Sequence, residues 1–128
     1  KGNIIFIFGA TGGRDKTKRP IMGKVVSQNC DIGIVTADDT RNENVNDIND
    51  QIISGFDQKY INNKKFIYYN IPNRQDAFNL AVKIAKSNDI IIACGKGHET
   101  SILHGNTEYP WSESDAFNTA FRNKNQNV

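Results

Sequence analysis

The chain is poor in cysteine. Cys30 and Cys94 lie far apart with no Cys-x-x-Cys spacing, which argues against a disulfide-stapled fold or a zinc ribbon. Two reduced, structural thiols are expected. No apolar run approaches the ~18 residues of a membrane helix and no signal peptide is visible, so a cytoplasmic protein without membrane contact is expected. The formal charge is only +2, too small a surplus to imply a nucleic acid partner. Nothing repeats internally and no linker divides the chain. Its 128 residues then suit one domain, 1–128, with enough core for two or three layers and no need to oligomerise. Lys1-Gly2-Asn3 leads directly into an apolar strand, which suggests a piece of something longer. The Asn-rich end, 123–128, reads as a disordered tail.

What is present is concentrated at the start. Ile4 to Phe8 is an unbroken apolar run ended by Gly9, the pattern of a strand buried on both faces. Gly12 and Gly13 follow, then Arg14, Lys16, Lys18 and Arg19 with one acid, Asp15. Glycines permit a tight turn and close approach to a ligand, and the basic side chains add positive potential beside it. A buried strand feeding a cationic loop is where open α/β sheets bind anions.

Further on, Ile21 to Val26 keep helical spacing behind Pro20, and Ile32 to Val35 form a second strand. Val45, Ile48, Ile52 and Ile53 mark a second helix ended by Gly55. Phe66 to Tyr69 is a third strand, and Ala77, Leu80, Ala81, Ile84 and Ala85 give a third helix its apolar face. Ile90 to Ala93 is a fourth strand running into Gly95-Lys96-Gly97-His98-Glu99. Ser101–Leu103 and Thr107–Tyr109 flank a hairpin turn at His104-Gly105-Asn106, and Ser112 caps a closing helix. The expected fold is α/β, a Rossmann-like three-layer domain with a mostly parallel, mixed sheet of about six strands. Trp111, Phe117 and Phe121 are expected in its core.

Loops 9–19, 38–43 and 95–99 hold nearly all the distinctive chemistry. Parallel strands would bring them out at one carboxyl-end edge. Arg14 and Arg41 could each grip a carboxylate or phosphate through a bidentate fork, while Asp39 and Glu99 could accept from an ammonium group. A zwitterion beside a phosphate fits such a pocket. His98 could orient its loop or meet substrate. Gly9-Ala10-Thr11-Gly12 also resembles the opening of a dinucleotide-binding loop, and GATGGRDKT an incomplete P-loop, so an NAD(P)-binding domain is an alternative. An inactive interaction domain is another.

The run Phe8 to Met22, the stretches Thr36 to Glu43 and Asn73 to Ala77, and Gly95 to Glu99 occur in an order that resembles the Mur ligases. The similarity is to the C-terminal domain of members adding the third residue of the peptidoglycan stem, the diaminopimelate-adding type, and it extends to Glu108–Asp115. This resemblance implies an ATP-dependent amide-bond-forming ligase that activates the carboxylate of UDP-N-acetylmuramoyl-L-alanyl-D-glutamate as an acyl phosphate. An amino acid amine then attacks, with meso-diaminopimelate favoured over L-lysine. It implies Arg14, Asp39, Arg41, Gly95 and Glu99 as acceptor-binding residues and Lys16 and His98 as catalytic ones. Gly12, Gly13 and Lys16 would lie toward the cofactor. ATP and Mg2+ would be held mainly by a central domain of the same ligase, and the UDP-sugar by an N-terminal one; these are the implied partners. Here Asp38-Asp39-Thr40-Arg41 stands where the family has Asp-Asn-Pro-Arg, and Gly13 where an acid precedes the first arginine. The 128-residue chain alone is expected to be inactive. It is also expected to fold without metal, so a cooperative thermal transition unmoved by a chelator should be seen; a metal-dependent transition would contradict this.

Overall fold

The computed structural model describes residues 2–126. Strand β1, Ile4–Phe8, lies inside a four-stranded parallel sheet. It pairs on one side with β2, Ile32–Val35, and on the other with β4, Ile90–Ala93; β3, Ile67–Asn70, extends the sheet beyond β2. The order β3-β2-β1-β4 places a reversal between β1 and β4. Period-two alternation along β1 sends Ile5 and Ile7 to one core and Phe8 to the other.

Helices α1 (Lys18–Asn29), α2 (Val45–Ile53) and α3 (Gln58–Asn62) lie on the Phe8 side. Val26, Ile48, Ile52 and Phe56 there pack with Val35 and Phe66. On the opposite face, α4 (Arg74–Ile84) and α5 (Glu113–Gln126) bury Ala77, Phe78, Ala81, Ala116 and Ala120 against Ile5, Ile7 and Ile34. Alanines at this helix pair keep the backbones close, and Phe78 stacks edge-on against Phe117 and Trp111 at 4.6 and 5.8 Å. The abundant Asn has a local use. Asn44 accepts from the Asn46 N–H (2.8 Å) to start α2, and Asn73 from the Asp76 N–H (3.0 Å) to start α4.

The α/β class and parallel order are as the sequence indicates, with five differences. The six strands divide between two sheets: β5 (Ser101–His104) and β6 (Thr107–Pro110) pair only with each other in regular ladder, because Gly105 turns the chain straight back. Helix α3 has no counterpart in the sequence reading; it is five residues long, and its Tyr60 and Ile61 are only partly buried against the core. The expected tail is helical through Gln126, since Lys124 Nζ donates to the carbonyls of Val82 (2.7 Å) and Ala85 (3.0 Å) at the open end of α4. Residues 127 and 128 lie outside the described residues. Phe121 is exposed rather than in the core, and Cys94, expected to pack, is exposed at the end of β4. No described helix is long and apolar enough to cross a membrane.

Gly23 shows how tightly α1 and α2 meet. A Cβ there would stand 2.0 Å from the Ile52 carbonyl oxygen. Alanine gains about 1 kcal/mol of helix propensity over glycine, but separating the two backbones costs more. Gly23→Ala should therefore destabilise by about 1–3 kcal/mol net in urea unfolding, whereas a stabilised variant would mean the contact is loose.

Candidate functional site

The loops after β1, β2 and β4 do meet at one edge, through their backbones first. Gly12 N–H donates to the Asp39 carbonyl at 2.7 Å, and a Cβ on Gly12 would fall 1.9 Å from the Thr40 oxygen. Gly13, at φ +66°, donates its N–H to Glu43 Oε2 at 2.6 Å. These glycines thus serve loop-to-loop packing, and their N–H groups are already engaged. Gly95 completes the junction, with φ +111° and a missing Cβ that would lie 2.4 Å from Asp38 Oδ2.

Arg19 organises the first of two charged networks. It is 2% exposed, yet it reaches both Glu43 oxygens (3.0 and 2.9 Å), Gln51 Oε1 (2.9 Å) and the Thr11 carbonyl (3.0 Å). The hydrogen bond from Arg19, with that from Gly13 N–H, holds the Glu43 carboxyl down at about 2. Lys16 Nζ stands 3.6 Å from the same carboxylate and is otherwise open to solvent. Asp15 lies just ahead of α1, accepting from the Thr17 hydroxyl (2.6 Å) and N–H (2.9 Å), and is lowered by both.

The second network surrounds Lys96, also 2% exposed. Its ammonium donates to Asp39 Oδ1 (2.8 Å) and Glu99 Oε1 (3.1 Å), with Asp38 Oδ1 at 3.8 Å. Burial raises the Asp38 carboxyl above its ordinary value. Burial acts the same way on Asp39, but the bonds from Lys96 and Leu103 N–H outweigh it and hold that carboxyl low. Behind both networks Arg74, 3% exposed, ties strand ends together: it donates to Ala37 O (2.8 Å), Cys94 O (3.0 Å) and both oxygens of Glu113 (2.7 and 3.2 Å).

Of the residues singled out from sequence, Asp39 and Glu99 share Lys96, and Gly95 adjoins Asp38. Arg41 adopts φ 53°, and its Cδ lies 3.4 Å from where a Gly13 Cβ would be; it does not line the cleft that Arg14 lines. The Arg41 Nε is buried without a hydrogen-bond partner. Arg14 lines a cleft of about 570 Å³ at the β1/β4 reversal, floored by Phe6, Phe8 and Met22 with Asp38 and Gly95 at its wall. His98 is exposed on its loop. The hairpin was missed as part of this site. It clamps the second loop through Thr40 N–H to Leu103 O (3.0 Å), Leu103 N–H to Asp39 Oδ1 (2.8 Å) and a Thr40 Oγ1–His104 Nδ1 bond (2.8 Å). Arg19, Glu43, Arg74, Lys96 and Glu113 were missed too. Only a positional signal, a charged residue inside an otherwise apolar or glycine-rich motif, could have marked them.

The family model described as "Mur ligase, glutamate ligase domain" matches residues 1–97. This chain belongs to the Mur ligase family. It is 38% identical over 115 residues to UDP-N-acetylmuramoyl-L-alanyl-D-glutamate--2,6-diaminopimelate ligase 1 of Clostridium acetobutylicum, covering 90% of this chain and 22% of that protein. The 2,6-diaminopimelate ligase of Fusobacterium nucleatum is 40% identical over 112 residues, again 22% of its length. A UDP-N-acetylmuramyl-tripeptide synthetase of Roseiflexus is 38% identical over 116 residues, 22% of its length. A solved 2,6-diaminopimelate ligase superposes with a TM-score of 0.86 at 23% identity, over 98% of this chain and 25% of that one, which shows the fold. The chain thus spans less than a quarter of the curated relatives named here.

The Mur ligase edge therefore rests on Glu43 as much as on its arginines. Glu43→Gln should cost about 1–3 kcal/mol at pH 7 by weakening the partner of a buried guanidinium. The folded carboxyl lies at about 2, below the ordinary 4.5, so its contribution is full above pH 4.5 and fades as pH falls toward 2. Urea unfolding should show the wild-type advantage over Glu43→Gln shrinking across that window. An advantage independent of pH would contradict the ion pair.

Proposed function

We propose that this chain is the acceptor-presenting domain of a cytoplasmic ligase that joins an amino acid to UDP-N-acetylmuramoyl-L-alanyl-D-glutamate in peptidoglycan precursor synthesis. The observation that carries the reading is the meeting of three loops at one sheet edge, with Arg14, Arg41 and Glu99 on them, in a Mur ligase domain whose relatives include diaminopimelate ligases. An amine must be held with its nitrogen toward the acyl phosphate, and its carboxylates held away; two guanidiniums and a carboxylate supply that orientation. Arg14, at the cleft wall, takes one acceptor carboxylate. Arg41 takes the carboxylate distant from the reacting amine, its unpartnered buried Nε offering a donor there. Gly95 leaves room for the acceptor backbone, and Glu99 receives ammonium charge. Lys16, largely solvent-exposed, faces the phosphoryl side, and His98, exposed on the last loop, meets the substrate there.

ATP and Mg2+ belong elsewhere in such a ligase. The Gly12 and Gly13 N–H groups that could cradle a phosphate are engaged. The same engaged N–H groups weigh against an NAD(P)-binding domain. The partners on this reading are the N-terminal and central domains of the same ligase.

The test is acceptor choice in the full-length ligase. Arg41→Ala removes a charged, bidentate contact, worth about 2–5 kcal/mol when buried, which lysine does not use at its far end. Diaminopimelate should lose about 30-fold or more in kcat/KM, lysine little, and the KM for ATP should hold. An equal loss for both amino acids would mean that Arg41 only stiffens its loop.

A further inference from the structure

Thr40 stands directly before Arg41, at the place where the family motif has proline. A proline would fix its own φ there; a threonine does not. Arg41 nevertheless sits at φ 53°, a conformation that a non-glycine residue keeps only when its surroundings impose it. We infer that His104, on the β5–β6 hairpin, is the positioning residue that imposes it, through the bond between its ring and the Thr40 hydroxyl. This rests on the acceptor reading of Arg41 and goes beyond it, naming a residue outside the three loops on which the aim of that guanidinium depends.

Every polar group of Thr40 is committed. Its N–H donates to Leu103 O at 3.0 Å, its carbonyl accepts from Glu43 N–H at 3.0 Å, and its hydroxyl meets His104 Nδ1 at 2.8 Å. A proline could make only the second of these bonds. Thr40 is 5% exposed, so without the imidazole its hydroxyl would have neither water nor partner. The imidazole itself packs against Tyr109, with ring centroids 5.9 Å apart.

The same hairpin grips Arg41 through the backbone. The Arg41 N–H approaches Leu103 O at 3.4 Å, its carbonyl accepts from Gly105 N–H, and it bridges His104 in parallel register. Any hairpin sequence could make those backbone bonds. Side chains add the ties that depend on sequence: Asp39 Oδ1 takes the Leu103 N–H at 2.8 Å, and the Thr40 hydroxyl takes His104. Asp39 anchors the loop ahead of Thr40, whereas the His104 bond anchors the residue adjoining Arg41. The Arg41 Nε is buried without a hydrogen-bond partner, so no bond at that nitrogen corrects the side chain when its backbone shifts. A small rotation at Thr40 is therefore carried outward to the guanidinium.

Steady-state kinetics and hydrogen exchange on the full-length ligase test this. His104→Leu and Thr40→Val each delete the bond, whereas His104→Asn places an amide group close to where Nδ1 stands. Each deletion should raise the KM for diaminopimelate about fivefold, and their combination should be no worse than either alone, because both remove the same bond. The KM for lysine, which has no far carboxylate, and that for ATP should stay within about twofold. Amide exchange across residues 38–43 should quicken in both deletions while β1 stays protected, and His104→Asn should behave as wild type in both readouts. Thr40→Val carries the test by itself if His104→Leu does not fold. A diaminopimelate KM unchanged in the deletions, or effects that add in the double variant, would overturn the inference while leaving the reading of Arg41 intact. If the loop quickens and the two amino acids suffer equally, the reading of Arg41 as an acceptor contact is what fails, and the inference falls with it.

Discussion

Three buried cations hold the carboxyl edge of the sheet together. Arg19, Arg74 and Lys96 are each 2–3% exposed, and a buried charge is tolerable only when paired and fully bonded. Each therefore dictates where other segments must lie. Arg19 draws Thr11, Glu43 and Gln51 around one guanidinium. Arg74 binds the ends of β2 and β4 to the first residue of α5. Lys96 gathers Asp38, Asp39 and Glu99. None of the three needs to touch a substrate to decide where Arg14 and Arg41 point.

Parallel pairing explains why the edge exists, and the cations explain why it is stiff. β1 between β2 and β4 sends three loops out on the same side. Loops alone would be mobile there. Gly12 and Gly95 remove the side chains that would keep those loops apart, Gly13 supplies a positive φ, and the ion pairs then fix their distance. Arg41 is held at a positive φ between the hairpin and Gly13, a conformation that costs an arginine energy and persists only because its surroundings impose it. Arg14, Arg41 and Glu99 are thus carried on a preformed frame.

Much of this was legible in the sequence. Periodicity located β1, β2 and β4 to the residue, because short apolar runs bounded by glycine or polar turns leave little choice. The Gly, Arg and Gly-Lys-Gly-His-Glu motifs marked the three loops that meet at this edge. The frame was not legible. Arg19 and Glu43 are 24 residues apart, Arg74 and Glu113 39, and Lys96 and Asp39 57, and nothing local reveals which charges pair. By residue type, Arg and Lys read as solvated, so the most buried charges looked like the least informative ones. Helix α3 was hidden for a different reason, its five residues being too few to show a stripe. The division of the strands into two sheets depended on the hairpin finding the second loop, a contact that sequence spacing does not encode.

The central claim is that the carboxyl edge is one preformed unit. Native-state hydrogen exchange of the Gly12, Gly13 and Leu103 amides measures this directly, because those N–H groups close the junctions with Asp39 and Glu43. The account predicts that all three are protected and open together, with a free energy close to that of the β1 core amides. Exchange at rates typical of an open loop, or three unrelated opening energies, would contradict it.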